Sequence, residues 1–436
     1  MSELEIGVLL LVATIVVLCS GVSIAFGLAA VAIAFLAIFG GPDALKAIPE
    51  TFMSELSSFA LLTVPMFVVL GAAIGLSRAG TDLYESLHRW LYRMPGGLVI
   101  ANIFACGLFS ALCGSSPATA AAIGKVGIPE MLRRGVPRAL AAGSIAAGGT
   151  LGILIPPSIT FIIYGLVTET SIARLFLAGV VPGILLVLIF SAYAWLASWH
   201  AARGVPLTEH FSLKDKMEGI ARVLPFLGII VAVTVFMYGG IATPSEVAGV
   251  AALMALVMVA VIYRTRLPQL WLILVSSTRE TSMILMIIAA AALFSFMMSY
   301  LYITQTLAEW MVGLDLGKWG LILVINLFLL VVGCFLPPVA IILMSMPVLA
   351  PVLATGDVDL IWFGVILTIN LEIGLITPPV GMNLFVIRGV APSIPAADVL
   401  WGSLPFVALM AAFIVLMCVF PGIATGLPDL LLGVGR

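Results

Sequence analysis

Apolar runs as long as a lipid bilayer is thick recur along this chain. A helix needs about 20 consecutive apolar residues to cross the hydrocarbon core of a membrane. Runs of this kind, nearly free of charge, are found at Leu4–Phe39, Ala139–Val167, Ile172–Trp199, Glu246–Tyr263 and Leu400–Phe420. Because 63% of the 436 residues are hydrophobic and 9% are charged, a water-soluble fold could not cover its apolar surface. We therefore predict an all-α integral membrane protein with about ten transmembrane helices.

The first apolar run leaves two alternatives open. Leu4–Phe39 forms either two short helices broken near Ser20-Gly21 or one long tilted helix, and the side of the N-terminus depends on which is correct. The opening Met1-Ser-Glu-Leu-Glu lacks the basic flank of a secretory signal, so we expect this run to stay in the membrane.

The distribution of basic residues predicts the orientation of the chain. Cytoplasmic connections of membrane proteins are enriched in Lys and Arg. Most of the 19 Lys and Arg fall in four stretches, which we predict to be cytoplasmic: Arg78, Arg89 and Arg93; Arg133, Arg134 and Arg138; Arg203, Lys214, Lys216 and Arg222; Arg264 and Arg266. The other connections are poor in basic residues and should face outward; they carry Asp43, Glu169, Asp315, Asp357 and Asp359.

Two segments predict re-entrant hairpins that enter from opposite sides. Residues 96–132 have basic clusters on both flanks and are interrupted at Gly114-Ser-Ser-Pro, so two full crossings would leave almost no turn. Residues 318–354 have outward connections on both flanks and are interrupted at Gly333-Cys-Phe-Leu-Pro-Pro. Irregular backbone at membrane depth is tolerated only where it is buried in protein or lines a cavity. The two tips are thus predicted to point at each other inside the protein.

An internal repeat relates the two halves of the chain. Gly152 and Pro156-Pro157 recur as Gly374 and Pro378-Pro379, 222 residues later. With the charge pattern, this spacing predicts an inverted-topology repeat, which is typical of secondary transporters. The predicted organisation is an N-terminal scaffold at 1–50, a first repeat at 51–200, connecting scaffold helices at 201–266 and a second repeat at 267–436. The first repeat contains hairpin 96–132 and broken helix 139–167, and the second contains hairpin 318–354 and broken helix 360–390.

The broken elements predict ion chemistry. Proline removes an amide donor and blocks a carbonyl four residues earlier, so a Pro-Pro pair in a spanning helix frees backbone groups. Freed carbonyls and hydroxyls suit a dehydrated Na⁺, and half-helix N-termini suit a carboxylate. The Na⁺ candidates are Gly114, Ser115, Ser116, Gly149, Thr150, Gly152, Gly333, Cys334 and Thr377, with Asn370 beside the second break. The alternative is that Gly and Pro only permit kinks and close packing.

Three ionisable residues lie near these elements. Glu372 precedes the second break, and three roles are open: a site of protonation coupling, an indirect ion ligand, or a structural hydrogen bond to a freed backbone amide, which we favour. Lys125 is expected to extend to the cytoplasmic surface, and Arg388 is expected to mark the inner end of its helix.

Other function classes find no support in the sequence. The histidines His88, His200 and His210 fall in predicted connections without catalytic spacing, and the five cysteines show no metal-ligand spacing. The chain has no Walker A motif and no basic patch for nucleic acid. We therefore predict no enzyme activity, no cofactor and no transition metal.

Three stretches carry a family resemblance: Cys113-Gly-Ser-Ser-Pro-Ala-Thr, Gly148-Gly-Thr-Leu-Gly-Ile-Leu-Ile-Pro-Pro-Ser, and Asn370-Leu-Glu-Ile-Gly-Leu-Ile-Thr-Pro-Pro-Val-Gly-Met-Asn. They resemble the large membrane subunit of tripartite ATP-independent periplasmic (TRAP) transporters, in the unfused form. The resemblance implies an elevator-type, Na⁺-driven importer of organic acids in the bacterial inner membrane. It also implies a separate small membrane subunit and a periplasmic substrate-binding protein. Substrate contacts are expected at Ser116, Thr119, Pro156, Asn370 and Thr377.

Two other functions stay open at this stage. One is a stand-alone Na⁺- or H⁺-coupled carboxylate carrier that needs no binding protein. The other is a structural membrane subunit with no transport of its own.

Overall fold

The computed structural model describes residues 3–201, 211–313 and 317–433, and every regular element in these ranges is a helix. The all-α prediction is confirmed. Seven helices of the described chain are long and apolar enough to cross a membrane, or eight if one bent pair is a single span. The figure of about ten crossings stays a prediction, because several shorter apolar helices fall below the length of a span. Arg203, His210 and Asp315 lie outside the described residues, as does the side chain of His200.

The first apolar run forms two helices, so the first alternative above is the correct one. The N-terminal helices are α1 (Glu3–Cys19), α2 (Ile24–Phe35), α3 (Gly41–Lys46), α4 (Ile48–Leu56), α5 (Thr63–Gly75) and α6 (Ala79–Leu91). A π turn (Leu36–Gly40) joins α2 to α3, and a 3₁₀ turn (Phe59–Leu62) precedes α5. The chain bends by 56° between α4 and the helical segment that contains α5.

The next five helices form a hairpin, a broken helix and a long helix. They are α7 (Gly97–Cys113), α8 (Ser116–Arg133), α9 (Arg138–Thr150), which ends in a 3₁₀ turn (Leu151–Ile153), α10 (Ile159–Val167) and α11 (Ile172–Ala201). Helices α7 and α8 pack against each other and against α9.

Four helices connect this unit to its counterpart: α12 (Leu213–Tyr238), α13 (Pro244–Val261), α14 (Leu267–Tyr300) and α15 (Ile303–Gly313). The second hairpin and broken helix follow as α16 (Gly317–Gly333), α17 (Pro338–Thr355), α18 (Leu360–Leu375) and α19 (Met382–Val390), and the described chain ends with α20 (Ala396–Val419) and α21 (Gly422–Leu432). Helix α14 packs against α2, α4 and α5, and the two broken helices contact each other through α9 and α18.

Polar residues fix where several helices begin. Asp359 Oδ1 accepts hydrogen bonds from the amides of Ile361 (2.7 Å) and Trp362 (3.0 Å) at the start of α18. Ser212 and Thr243 form capping boxes at the starts of α12 and α13. These caps satisfy amides that have no partner within the helix.

Helices α9 and α20 are in backbone contact. A Cβ atom built at Gly402 on α20 would overlap the carbonyl oxygen of Ala139, and one at Gly143 on α9 would overlap the carbonyl oxygen of Gly402. Small residues that let backbones approach are the usual means of helix association in membranes. The first broken helix is therefore attached to α20 of the second half by a contact that only glycine permits.

We predict that Gly402→Ala lowers the apparent Tm of the purified protein in detergent. Overpacking of a close contact costs about 1–3 kcal/mol, and backbone cannot move aside as a flexible side chain can. The matched control is Gly249→Ala on α13, where a new Cβ meets nothing within 4 Å. An unchanged apparent Tm for Gly402→Ala would contradict this account of the α9–α20 contact.

Candidate functional site

The turn between α7 and α8 lies against the break between α9 and α10. Gly114 in this turn has φ +60°, a left-handed conformation that favours glycine. A Cβ atom on Gly152, in the 3₁₀ turn after α9, would lie 2.8 Å from the carbonyl carbon and oxygen of Ser115. The first hairpin tip and the first break are thus in backbone contact, and a side chain at Gly152 would separate them.

The hydroxyl groups at this first tip are mostly engaged within the protein. Thr119 Oγ1 donates to the carbonyl of Ser115 (2.9 Å), and Thr150 Oγ1 donates to the carbonyl of Ala147 (2.7 Å). Both threonines and Ser116 are buried, whereas Ser115 is half-buried. Within the described chain the Ser115 hydroxyl makes no hydrogen bond, so it is the one hydroxyl of these four that no protein group orients.

Two further residues predicted in the first half have different surroundings. Gly149 packs against α8, where a Cβ atom would lie 2.7 Å from Cβ of Ala120. Pro156 is half-buried, and its peptide bond to Pro157 is cis, as is the bond between Pro378 and Pro379 in the second half. Gly149 thus serves helix packing in this conformation.

The second hairpin tip meets the second break in the same way. A Cβ atom on Gly374 would lie 2.5 Å from the carbonyl carbon and oxygen of Gly333. The Cys334 carbonyl accepts a hydrogen bond from the Val380 amide (3.2 Å). Thr377 Oγ1 donates to the Ile373 carbonyl (2.6 Å) and is half-buried. Gly374 stands 222 residues after Gly152, so the repeat places equivalent glycines at the two breaks, each facing a hairpin tip.

Asn370 faces the first arm of the second hairpin. Its Nδ2 donates to the backbone carbonyl (2.9 Å) and to the side-chain oxygen (3.0 Å) of Asn326 on α16. Asn370 Oδ1 is buried and has no hydrogen-bond partner among the described residues. In this conformation the Nδ2 of the side chain that we predicted to contact substrate is thus bound to the hairpin.

Asn383, in the first turn of α19, joins the two halves. Its Nδ2 donates to Ser116 Oγ (2.8 Å) and to the carbonyl of Ala146 (2.9 Å), and its Oδ1 lies 3.2 Å from Ser116 Oγ as acceptor. The side chain is fully buried. Sequence reasoning did not select Asn383 as a site residue, although an amide in an apolar segment just after a Pro-Pro break was a usable signal.

The segment that contains the second break therefore reaches both hairpin tips. The Val380 amide binds the second tip, and the Asn383 side chain binds the first, with only two residues between them. Three residue steps span at most about 11 Å between Cα atoms. In each half the hairpin tip and the break of the same half are in contact, and residues 380–383 connect the two tips.

Glu372 has the most unusual environment of the predicted residues. Its side chain is fully buried, and neither carboxyl oxygen has a hydrogen-bond partner in the described part of the chain. The structural hydrogen bond to a freed amide that we favoured is therefore wrong. The reason is geometric: Glu372 lies inside α18, three residues before its end, where the nearby amides are in the helix.

Lys125 and Arg388 are both exposed, which agrees with the surface positions expected for them. A cavity of about 300 Å³ lies farther along α8 and is lined partly by Tyr84, His88 and Glu130. None of its lining residues is one of the predicted Na⁺ or substrate contacts. The hairpin tips, not this cavity, are the candidate site.

Comparison with known proteins gives one family. Residues 11–423 match the family model described as "Tripartite ATP-independent periplasmic transporter, DctM component". The chain is 36% identical over 389 residues to the C4-dicarboxylate TRAP transporter large permease protein DctM of Pseudomonas aeruginosa, covering 89% of this chain and 90% of that protein. It is 33% identical to the isethionate TRAP transporter permease protein DctMQ of Oleidesulfovibrio alaskensis, covering 92% of this chain and 63% of that protein.

A solved structure shares the fold. The Alcanivorax borkumensis YdaH transporter superposes with a TM-score of 0.61 at 17% sequence identity, over 88% of this chain and 90% of that one. At this identity the likeness concerns the fold alone.

Proposed function

The chain belongs to the DctM family of TRAP transporter large permeases, and on this premise we propose that it imports an organic acid anion together with Na⁺. It is a multi-pass membrane transporter subunit and not an enzyme. The proposed location is the bacterial inner membrane, with a small membrane subunit and a periplasmic substrate-binding protein as partners. One relative carries the fused name DctMQ, and this chain covers 63% of that relative. The fused name supports a small membrane subunit as a partner of this chain.

The observation that carries this proposal is the connection between both tips through residues 380–383. Inverted-repeat transporters bind substrate and ions where broken helices of the two halves meet. Three helices start close to the first tip: α8 begins there at Ser116, a Cβ atom on Gly114 would lie 3.6 Å from the Ile159 amide nitrogen at the start of α10, and Asn383 in the first turn of α19 binds Ser116. Their N-terminal ends carry partial positive charge. Such ends favour a carboxylate, which supports an organic acid as the substrate class.

Na⁺ binding is supported by the oxygens that remain available at the tips. The Ser115 hydroxyl is half-buried and without a partner in the described residues, and Thr377 Oγ1 keeps lone pairs to accept a cation while it donates to Ile373. Freed carbonyls at both breaks add oxygen ligands. We propose that the hairpins and broken helices move together as the mobile part of an elevator, against α2, α5, α13 and α14.

The test is uptake by proteoliposomes that contain the complete set of subunits and the binding protein, with a panel of carboxylates. An inward Na⁺ gradient should drive accumulation of at least one of them, and a K⁺ gradient of the same size should not. Uptake that persists without the binding protein and the small subunit would favour a stand-alone carrier. The absence of uptake for the whole panel would leave a structural subunit as the better interpretation.

We predict that Ser115→Ala and Thr377→Val each raise the Na⁺ concentration for half-maximal uptake. Loss of one ligand worth about 1 kcal/mol corresponds to about a fivefold rise. The matched control is Thr278→Val on α14, because Thr278 Oγ1 makes the same kind of bond, 2.8 Å to the carbonyl of Leu274, at an exposed position. Unchanged Na⁺ dependence in both site variants would remove these residues from the ion site.

A further inference from the structure

The end of α6 and the start of α12 hold two cations around one tyrosine ring. The two helices pack against each other, and Tyr92, which follows α6, is buried. The guanidinium carbon of Arg93 lies 5.5 Å from the centroid of the Tyr92 ring, and Arg93 Nε donates to the Tyr92 hydroxyl (2.8 Å). Lys216 Nζ also lies 5.5 Å from this centroid, and 5.1 Å from that of Trp90. Two elements that are distant in the chain thus bring two positive charges to one place.

Neither of these two cations has a carboxylate partner among the described residues. The carboxylates nearby bind other groups. Glu85 and Glu218 each pair with Arg222, and Asp215 accepts hydrogen bonds from the amide and the hydroxyl of Ser212. Contact with an aromatic face uses none of the three N–H donors of an ammonium group, and the guanidinium has used one of its five. Most donors of this pair are therefore left to bind an anion.

Exposed apolar side chains adjoin the two cations. Leu213 precedes Lys216 by three residues and Met217 by four, so it shares a face of α12 with both. Leu213 is 76% exposed and Met217 is 59% exposed, and Trp90 on α6 is exposed as well. Farther along α12 the exposed apolar side chains include Leu224, Val231 and Val235. Since α12 is long and apolar enough to span a membrane, its first turns lie at the level of the lipid head groups, where tryptophan is enriched.

Charge and apolar surface together select the chemistry of the ligand. A phosphodiester offers oxygens that accept charge-assisted hydrogen bonds from both cations. A free phosphate ion would bind the cations but leave Leu213 and Met217 uncovered, whereas acyl chains cover them. A zwitterionic lipid carries its own cation, which compensates the charge of its phosphate. Basic residues beside a membrane span commonly bind anionic lipids, so an anionic phospholipid fits this surface best.

We propose that Arg93 and Lys216 bind the phosphodiester of an anionic phospholipid such as phosphatidylglycerol, with its acyl chains along the exposed face of α12. The bound lipid joins the end of α6 to the start of α12. Helix α6 also packs against α7 and α8 of the first hairpin, so the lipid supports the elements on which this hairpin rests. The site is separate from the hairpin tips and does not depend on which substrate the protein carries.

The test titrates phosphatidylglycerol into the delipidated full-length chain in a non-ionic detergent and counts bound lipid by native mass spectrometry. One phosphatidylglycerol molecule should stay bound at concentrations at which phosphatidylcholine with the same acyl chains does not. Arg93→Gln and Lys216→Gln should each weaken the apparent affinity about fivefold, the contribution of one cation beside an anionic lipid. The matched control is Lys214→Gln, in the same turn of α12 but two residues from Lys216 and so on another side of the helix. This control should change the affinity less than about twofold, because its exposed charge is screened.

Four outcomes would overturn the inference. Equal retention of both lipids by the wild type would exclude a site for anionic lipid, and retention of neither would leave this face to a protein partner. Equal weakening by Lys214→Gln would indicate general attraction of charge. Competition by glycerol 1-phosphate as strong as that by the lipid would indicate a site for free phosphate. Lys216→Arg keeps the charge and should keep the affinity, which separates loss of the site from loss of folding. The measurement involves no transport, so its failure leaves the proposed function intact.

Discussion

Replacing Gly374 with alanine is expected to reduce Na⁺-driven uptake at least about fivefold, because overpacking by about 1–3 kcal/mol corresponds to roughly 5- to 150-fold in an equilibrium. The new Cβ atom would lie 2.5 Å from the carbonyl of Gly333, which is backbone and cannot rotate away. The second hairpin tip would have to lift from the break, and the Cys334–Val380 hydrogen bond would be lost with it. The measurement is the initial rate of uptake at saturating Na⁺.

The repeat offers an internal comparison for this prediction. Gly152→Ala should also reduce uptake, but less, because its Cβ atom would lie 2.8 Å from Ser115. The matched control is Gly389→Ala on α19, where nothing lies within 4 Å of a new Cβ atom. Wild-type rates in Gly374→Ala would show that the contact between hairpin tip and break is not needed for transport.

Asn383→Leu is expected to lower both the apparent Tm and the uptake rate. The substitution keeps the approximate volume but removes the bonds to Ser116 Oγ and the Ala146 carbonyl. Each buried polar group left without a partner costs about 1–3 kcal/mol. Since these bonds join the first hairpin and α9 to α19, the substitution weakens the contact between the two repeats. The matched control is Gln305→Leu, an exposed amide on α15, which should change the apparent Tm little.

A double-mutant cycle separates this contact from a general loss of packing. Ser116→Ala combined with Asn383→Leu should be less harmful than the sum of the single changes, by about 1 kcal/mol, because the second substitution removes the partner that the first leaves unsatisfied. Strict additivity would mean that the two side chains do not depend on each other.

The overall helical fold and the position of the breaks could be predicted from local chemistry. The Pro-Pro pairs remove amide donors, and in the structure α9 and its 3₁₀ turn end before Pro156, while α18 ends before Pro378. The separation of α1 from α2 could not be decided from hydropathy, because both sides of Ser20-Gly21 are equally apolar. Glycine permits either outcome, and only packing against neighbouring helices selects one.

The direction in which individual side chains point could not be predicted from the sequence. Helix α18 is buried on all sides, so no polar face or hydrophobic period shows where Asn370 and Glu372 point. For the same reason the hydrogen-bonding role of Asn383 depends on the neighbouring α8 and α9, which are more than 230 residues away in the chain. Asn370 bound to Asn326 and Glu372 without a partner are therefore findings of the structure.

Cross-linking can test whether residues 380–383 hold the first hairpin tip in one site with the second break. In a background without the native cysteines, Ser116→Cys and Asn383→Cys together should be bridged by Hg²⁺, since the native side chains are in hydrogen-bond contact at 2.8 Å. The bridge should stop Na⁺-driven uptake, and thiol treatment should restore it, while each single cysteine variant should be unaffected by Hg²⁺. A pair that never cross-links, or that transports normally while bridged, would contradict the account.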